Sequence, residues 1–182
     1  ETTKIKRMFE WVKLTPKDVA KAYQIGHDVI KKKMKNNHTG NNELSKYAGY
    51  VGQLASMKYL NAKNIDDFEY DLNWKGHRIE VKTKVRNCLP QPNYKCCVYA
   101  SNADQLCDVY VFCQAMRNPQ NKNKLMHGAY LLGWISRKDY NDRFYFMQSG
   151  EADEYDDGYK SNADCYKINI CDLNAMNILN EA

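Results

Sequence analysis

The stretch DLNWKGHRIEVKTK, residues 71–84, alternates apolar and polar side chains on both sides of the dipeptide Lys75-Gly76. Alternation with a period of two is typical of a β-strand that buries one face. A glycine in a two-residue loop supplies the positive φ that a tight hairpin turn requires. The sequence therefore predicts a β-hairpin over about residues 67–85, with its turn at Lys75-Gly76.

The turn fixes which side chains share a face of the hairpin, because a slip of one residue would reverse both faces. The apolar face, which is expected to pack in the core, holds Phe68, Tyr70, Leu72, Ile79 and Val81. The polar face holds Glu69, Asp71, Asn73, Arg78, Glu80, Lys82 and Lys84. A hairpin with one apolar and one solvated polar face is common and needs no function, so this alternative stays open.

One pair on the polar face is unfavourable unless something binds there. Asp71 lies opposite Glu80, and opposed Cβ atoms are about 4.5–5.5 Å apart, where like charges destabilise the pair. A divalent cation between the two carboxylates would remove the repulsion, and Mg²⁺ binds through one or two carboxylates plus waters and phosphates. Lys82 follows on the same face as Glu80. The trio is therefore a candidate centre for metal-dependent phosphodiester cleavage.

Two helices are predicted before the hairpin. The first covers about residues 16–35, with Thr15 as its N-cap and Asp18 in its first turn. The second covers about residues 43–61 and contains Gly49 and Gly52. Glycine inside a helix costs about 1 kcal/mol relative to alanine, so these two positions indicate close packing against a neighbour.

Apolar runs typical of strands follow the hairpin, namely YKCCVYA, CDVYVFCQAM, LMHGAYLLGWI and CYKINI. Capping patterns at Ser101 with Asp104 and at Ser136 with Asp139 predict short helical turns between them. An acidic loop, EADEYDDGYKSNAD, precedes the last strand, and CDLNAMNIL predicts a terminal helix. The order of elements indicates one mixed α/β or α+β domain.

Within that single domain over residues 1–182, three parts are expected. They are a helical extension at 1–40, a core at 43–140, and a final part at 141–182 with the acidic loop, the last strand and the C-terminal helix. No apolar run reaches the roughly 18 residues that a membrane span requires, which predicts no membrane association. Residues 1–14 also contain no apolar signal-peptide stretch.

The charge of the chain is unevenly distributed. The net charge is +5, and residues 1–90 hold 18 Lys or Arg against 10 Asp or Glu, whereas residues 91–182 hold 9 against 12. A basic half suits a polyanionic partner such as nucleic acid, although the run KKKMK at 31–35 is equally the solvated end of a helix. The seven cysteines show no zinc-ligand spacing and lie mostly in apolar runs, which predicts reduced thiols in a cytosolic compartment.

Asp71 followed by Glu80-Val81-Lys82 resembles the signature of the PD-(D/E)XK phosphodiesterase superfamily, in which these residue types lie on two adjacent strands. The preceding helix, YAGYVGQLASMKYLN, is similar to the G-x-x-G-E helix of small phage-type members, but it has Gln53 in place of the glutamate that assists the metal. The resemblance covers about residues 43–140 and implies a restriction-endonuclease-like core: a central mixed sheet with a catalytic hairpin flanked by helices.

The resemblance also implies roles for particular residues. Asp71, Glu80 and the Val81 carbonyl would hold Mg²⁺, which Mn²⁺ could replace, with Gln53 assisting. Lys82 would orient the attacking water and offset charge on the phosphate. The side chains expected to contact nucleic acid are those of Lys84, Arg78 and Lys46.

The implied function is therefore a nuclease that acts on DNA in the cytoplasm of a bacterial or phage-infected cell. A homodimer is compatible with the resemblance, because many members of the superfamily pair to cut two strands. The alternative is a nucleic-acid-binding protein on the same fold that has lost catalysis, and Gln53 is the residue that favours it.

Overall fold

A computed structural model of the protein describes residues 9–34, 43–65, 69–152 and 160–181. The strands are, in chain order, β1 (Glu10–Lys13), β2 (Lys63–Asn64), β3 (Leu72–Trp74), β4 (His77–Arg86), β5 (Lys95–Tyr99), β6 (Val109–Asn118), β7 (Asn121–Ser136), β8 (Tyr145–Met147) and β9 (Cys165–Asn169). The helices are α1 (Pro16–Met34), α2 (Glu43–Leu60), α3 (Arg137–Arg143) and α4 (Met176–Glu181).

The predicted hairpin is confirmed as β3 and β4. Lys75 and Gly76 have φ angles of +48° and +88°, and positive φ at both central residues is the signature of a type I′ turn. The register is also as predicted, with Leu72 paired to Ile79. Phe68, which the apolar face was expected to include, lies outside the described residues.

The main sheet has six strands in the order β1-β7-β6-β4-β3-β2. Only β4 and β6 are parallel, and the remaining neighbours are antiparallel. A second sheet has three antiparallel strands in the order β5-β9-β8. The mixed α/β class with a central mixed sheet is therefore confirmed.

The two longer helices begin and end close to where the sequence predicts. The N-terminus of α1 is closed by a capping box, since the Thr15 hydroxyl accepts from the Asp18 amide at 3.1 Å and the Asp18 carboxylate accepts from the Thr15 amide at 2.9 Å. Ser136 caps α3 by accepting from the Asp139 amide at 3.0 Å. The cap predicted at Ser101 is wrong, because the short 3-10 turn there begins after Tyr99 and has no side-chain cap.

Residues 9–34 do more than form a helical extension. β1 pairs with β7 at one edge of the main sheet, and Val12 and Leu14 are buried in the same core cluster as residues of α2. Residues 1–8 and 35–40 of the predicted extension, and 153–159 of the predicted acidic loop, lie outside the described ranges. Within those ranges, no helix is long and apolar enough to cross a membrane.

The main sheet separates two cores. On one face, the helices pack on a cluster that includes Ile79 and Val81 of β4. On the other face, Tyr110 and Phe112 of β6 pack with residues of the second sheet. Because neighbouring residues of a strand point to opposite faces, the Glu80 side chain is directed away from α2 and toward the second sheet.

Candidate functional site

Asp71 lies at the point where β3 stops pairing regularly with β4. Its backbone N–H donates to the Ile79 carbonyl at 2.9 Å, although Ile79 is already paired with Leu72. Two residues therefore oppose one, which is the arrangement of a β-bulge. The Asp71 side chain extends to the partner strand, where its Oδ2 accepts a hydrogen bond from the Val81 N–H at 2.8 Å.

Glu80 is the most unusual polar residue of the hairpin, because it is only 5% exposed. Its Oε1 accepts a hydrogen bond from Lys82 Nζ in a buried ion pair. Its Oε2 is buried and has no hydrogen-bond partner among the described residues. The alternative of an ordinary solvated strand face is therefore wrong at Glu80.

Lys82 is held between two acceptors. Besides the Glu80 carboxylate, its Nζ donates to Gln105 Oε1 at 2.9 Å. Burial raises the pKa of Glu80, and the charge of Lys82 together with hydrogen bonding from Lys82 and Gln105 opposes that rise without cancelling it. A buried carboxylate oxygen without a donor is costly, and a bound cation would remove that cost.

The structure thus brings Glu80 and Lys82 together, but the prediction that Asp71 lies opposite Glu80 is wrong, because the bulge places Asp71 against Ile79. Glu80 and Lys82 form the ion pair, and Asp71 is bound to the amide of Val81, the residue that separates them. The negative charge of Asp71 also acts on a thiol on the α2 side of the sheet. Burial raises the pKa of Cys113 there to about 12, and the negative charge of Asp71 adds to the rise.

Gln53 does not meet Glu80. It is buried within the fold and only 5% exposed. Its Nε2 donates to Asn64 Oδ1 at 2.7 Å. Asn64 pairs with Leu72, and directly paired residues share a face, so Gln53 lies on the α2 side of the sheet. Gln53 therefore lies on the opposite side of the sheet from the Glu80 side chain, away from the metal-assisting position that the resemblance implies.

Arg78 has a partner within the protein. Its guanidinium binds the Asp108 carboxylate in a two-point contact, with Nη2 to Oδ1 at 2.6 Å and Nε to Oδ2 at 3.1 Å. Hydrogen bonds from Arg78 hold the pKa of Asp108 below its usual range. Arg78 therefore joins the start of β4 to the residue before β6, and its predicted contact with nucleic acid would have to compete with this pair.

Lys46 and Lys84, the other two predicted nucleic-acid contacts, lie around one cavity. It has a volume of about 530 Å³ and lies between the first turn of α2, the second half of β4 and the second sheet. Its cationic lining consists of Lys46, Lys82, Lys84, Arg86, Lys95, Arg117 and Lys167. None of the described residues that line it is Asp or Glu.

The cavity has room because β3 is short. β3 pairs with β4 only from Leu72–Ile79 to Trp74–His77. From Lys82 to Arg86, β4 has β6 along one edge, and no described strand pairs with its other edge. Lys82 lines the cavity and also binds Glu80, so the candidate catalytic pair lies at its margin.

Sequence reasoning did not select Gln105, Arg86, Arg117, Lys95 or Lys167. Two of these residues had a recognisable signal, because Lys95 and Lys167 interrupt the apolar runs of β5 and β9. They are 7% and 1% exposed, respectively. Lysine is almost never fully buried unless it is paired, so a lysine inside an apolar strand marks a candidate site.

No protein-family model matches the chain, and a search of curated proteins returns no match. The case for a function therefore depends on the site itself. In the described part of the chain, no three His, Cys, Asp or Glu side chains form a ready metal-binding group. Among the described residues, Glu80 Oε2 is a buried carboxylate oxygen that no hydrogen bond occupies, and Mg²⁺ can be held by one or two carboxylates with waters completing its shell.

Proposed function

We propose that this protein is a metal-dependent nuclease that hydrolyses phosphodiester bonds in DNA, with Glu80, Lys82 and Asp71 at its centre. The observation that carries the proposal is the buried Glu80 carboxylate, which keeps one oxygen without a donor beside Lys82 at the margin of a cationic cavity. Native proteins rarely leave a buried charged oxygen unsatisfied without a functional reason. The free thiols and the absence of a membrane-spanning helix from the described residues are compatible with action in the cytoplasm.

The arrangement of elements adds support. Helix α2 is followed by β2, β3 and β4 as antiparallel neighbours and then by β6 parallel to β4. This order is compatible with the restriction-endonuclease-like core that the PD-(D/E)XK resemblance implies. Glu80 and Lys82 occupy one face of the second strand of the hairpin, as that signature requires.

Mg²⁺ or Mn²⁺ would be held by Glu80, Asp71 and the Val81 carbonyl. A bound ion of this kind polarises a phosphodiester and lowers the pKa of water. Glu80 would have to be ionised to hold the ion, and burial raises its pKa, so metal binding is expected to tighten as pH increases.

Lys82 supplies a fixed positive charge. Its ammonium group is oriented by hydrogen bonds to Glu80 and Gln105, so little reorganisation is needed when a phosphate enters the cavity. A preorganised cation at this position stabilises the negative charge that develops on the phosphate oxygens during cleavage. Gln105 is therefore a positioning residue that acts through Lys82.

The test is cleavage of end-labelled DNA with Mg²⁺, with Mn²⁺ and with a chelator. We expect cleavage only with metal, and we expect Lys82→Ala and Glu80→Gln each to reduce it by about 100-fold or more. Lys122→Ala, at an exposed position of β7, is the matched control and should cleave normally. Cleavage that survives both active-site changes would contradict the proposal.

A second candidate function is nucleic-acid binding without cleavage. The observation that favours it is Gln53, which is bound to Asn64 and lies away from Glu80, so the metal site lacks the helix carboxylate of the resembled family. If this function is correct, the protein binds DNA in the presence of either ion and leaves it intact, and Lys82→Ala changes neither result beyond a small loss of affinity.

A further inference from the structure

The size of the cationic cavity limits what enters it. A volume of about 530 Å³ lies within the range of about 300–1,000 Å³ typical of pockets for small ligands. A nucleotide is a ligand of that size. A B-form duplex is far larger, since its major groove alone is about 12 Å wide. The cavity therefore suits a short segment of one strand.

The charge of the lining selects for a polyanion. The cations come from α2, β4, β5, β6 and β9 and converge on one space, and none of the described lining residues is acidic. Lys167 and Lys95 are almost completely buried. Charges at a cleft with low-dielectric walls concentrate the electrostatic field in it, so phosphates are attracted more strongly here than by the same lysines on an open surface.

An aromatic side chain completes the set. Tyr99, at the end of β5, lines the cavity and is 48% exposed. Proteins that bind single strands combine a positively charged groove with aromatic side chains on which bases stack. Both components occur here within one cavity.

We propose that this cavity binds single-stranded nucleic acid, with phosphates against Lys84, Arg86 and Lys46 and a base stacked on Tyr99. The inference rests on the proposed function in one respect: the bound nucleic-acid strand extends to Lys82, where its phosphodiester lies next to the candidate catalytic pair. It narrows the substrate class from DNA in general to a single strand, such as an end, a gap or a displaced strand.

The experiment measures binding with a chelator present, so that cleavage plays no part. Fluorescence anisotropy is recorded for a labelled 12-nucleotide oligothymidylate and for a 12-base-pair duplex, and poly-glutamate serves as a competitor of equal charge. We expect the single strand to bind at least tenfold more tightly than the duplex and poly-glutamate to compete poorly. Equal affinity for duplex and single strand, or efficient competition by poly-glutamate, would overturn the proposal.

Variants locate the site. Lys84→Gln, Arg86→Gln and Lys46→Gln remove cations from the lining, and Lys122→Gln and Lys124→Gln make the same change at exposed positions of β7. Each lining variant is expected to weaken single-strand binding several-fold and to reduce the slope of log affinity against log salt by about 0.7, the value for one phosphate of a single strand. The proposal fails if the β7 variants lose as much affinity for the single strand as the lining variants lose.

Lys84 also donates to the Lys95 carbonyl at 2.9 Å, so its removal perturbs the fold as well as the charge. Lys46 is only half-buried, and its variant keeps the test valid if Lys84→Gln does not fold. Tyr99→Ala should weaken binding about tenfold and Tyr99→Phe should restore it, because stacking needs the ring but not the hydroxyl. An abasic oligonucleotide that binds as well as oligothymidylate would refute the stacking contact.

Because binding is measured without metal, the two proposals fail separately. Binding of single strands that is lost in the lining variants, with no cleavage when Mg²⁺ is added, would refute the nuclease and leave this inference intact. Cleavage that needs Lys82 and Glu80, with no preference for single strands, would refute this inference and leave the nuclease intact.

Discussion

Gln53 is the residue whose environment differs most from what its neighbours in sequence indicate. Helical periodicity separates it from the stripe of Leu44, Ala48 and Val51, so the sequence allows it to point toward the polar face of the hairpin. In the structure α2 is buried around much of its circumference, including Val51, Gly52 and Gln53 in succession. A position that periodicity predicts to be polar is therefore enclosed as well.

Gln53→Glu tests this environment. The change places a carboxylate at a position that is 5% exposed and faces the Asn64 amide. We expect the free energy of unfolding to decrease by about 1–3 kcal/mol, because a buried charge gains too few donors, and we expect cleavage not to increase. The measurement is urea unfolding alongside the DNA cleavage assay, and Gln24→Glu, exposed on α1, is the control. Tighter Mg²⁺ binding in the Gln53→Glu variant would show that the residue reaches the proposed metal site.

Asp108 makes the stability of the protein depend on pH in a predictable direction. Hydrogen bonds from Arg78 lower its pKa below the ordinary 3.8, so the folded state favours its ionised form. That stabilisation is complete above about pH 3.8 and is lost as pH falls through the lowered pKa.

Asp108→Asn should therefore reduce stability near neutral pH, and the deficit relative to the unmodified protein should shrink as pH falls below 3.8. The pair is about two-fifths exposed, so solvent screens it and the deficit is expected to be about 1 kcal/mol or less. Urea unfolding from pH 3 to 7 measures it, with Asp104→Asn, an exposed neighbour, as the control. A stability deficit of Asp108→Asn that stays constant from pH 3 to 7 would contradict the conclusion that Arg78 lowers the pKa of Asp108.

The hairpin's residues were predictable, but the burial of Glu80 was not. The turn at Lys75-Gly76 and the alternation around it determine the register, so local sequence suffices to place Glu80 and Lys82 on one face of β4. It does not reveal the bulge that moves Asp71 from its predicted position opposite Glu80. The residues that cover Glu80 come from distant parts of the chain, beginning with Gln105, which binds Lys82. Periodicity in one strand carries no information about which later segment will cover it.

Among the secondary-structure elements, α2 shows how one glycine can position a helix. A Cβ atom at Gly52 would lie 2.0 Å from Thr83 Oγ1 and 3.1 Å from Cys113 Cβ. A Cβ atom at Gly49 would meet nothing within 4 Å. The close packing that both glycines predicted is therefore confirmed at Gly52 and wrong at Gly49.

The two glycines provide a matched pair of variants. Gly52→Ala should destabilise the protein by about 1–3 kcal/mol, because α2 must move away from β4 and β6 to accommodate the methyl group. Gly49→Ala should stabilise it by up to about 1 kcal/mol, the difference in helix propensity. Both values come from urea unfolding at one pH. Equal effects of the two substitutions would show that α2 does not pack on the sheet as described.

The long elements were predictable from the sequence, and three of the short ones were not. α1, α2, β6 and β7 each carry a strong pattern over many residues, and the sequence predicts all four. β1, β2 and β8 have four, two and three residues, respectively, and the sequence analysis identifies none of them. Strands of this length form because a partner strand is present, and the partner of β1 lies more than a hundred residues away.

The distribution of cations through the molecule also differs from the expectation based on charge counts. The surplus in residues 1–90 predicts that this half carries nucleic-acid binding. Three cations that line the cavity come from residues 91–182, although that half has a net negative charge. They are Lys95, Arg117 and Lys167. Folding places cations from both halves around one space, which a count along the chain does not reveal.

The seven cysteines, all free, allow a test of the whole fold. Cys88 and Cys171 are exposed and Cys97 is half-buried, whereas the others are buried. Burial raises the pKa of Cys96 and of Cys113 to about 12, so neither forms a reactive thiolate near neutral pH.

We expect a disulfide reagent to modify two thiols quickly in the native protein at pH 8, a third more slowly, and all seven only after unfolding in denaturant. The absorbance of the released thiolate measures the count, and Cys88→Ser with Cys171→Ser should remove the fast phase. Rapid modification of four or more thiols in the native state would contradict the two cores.

The pairing of β1 with β7 has a consequence for how the protein is made. Glu10 pairs with Leu131, and Lys13 with Gly128, so β1 leaves the ribosome more than a hundred residues before its partner strand exists. Bringing such distant segments together carries a large loop-closure cost and slows folding. During that time β1 is an unpaired edge with Trp11 and Val12 in it, so the nascent chain is most vulnerable to association with other chains just before its own sheet closes.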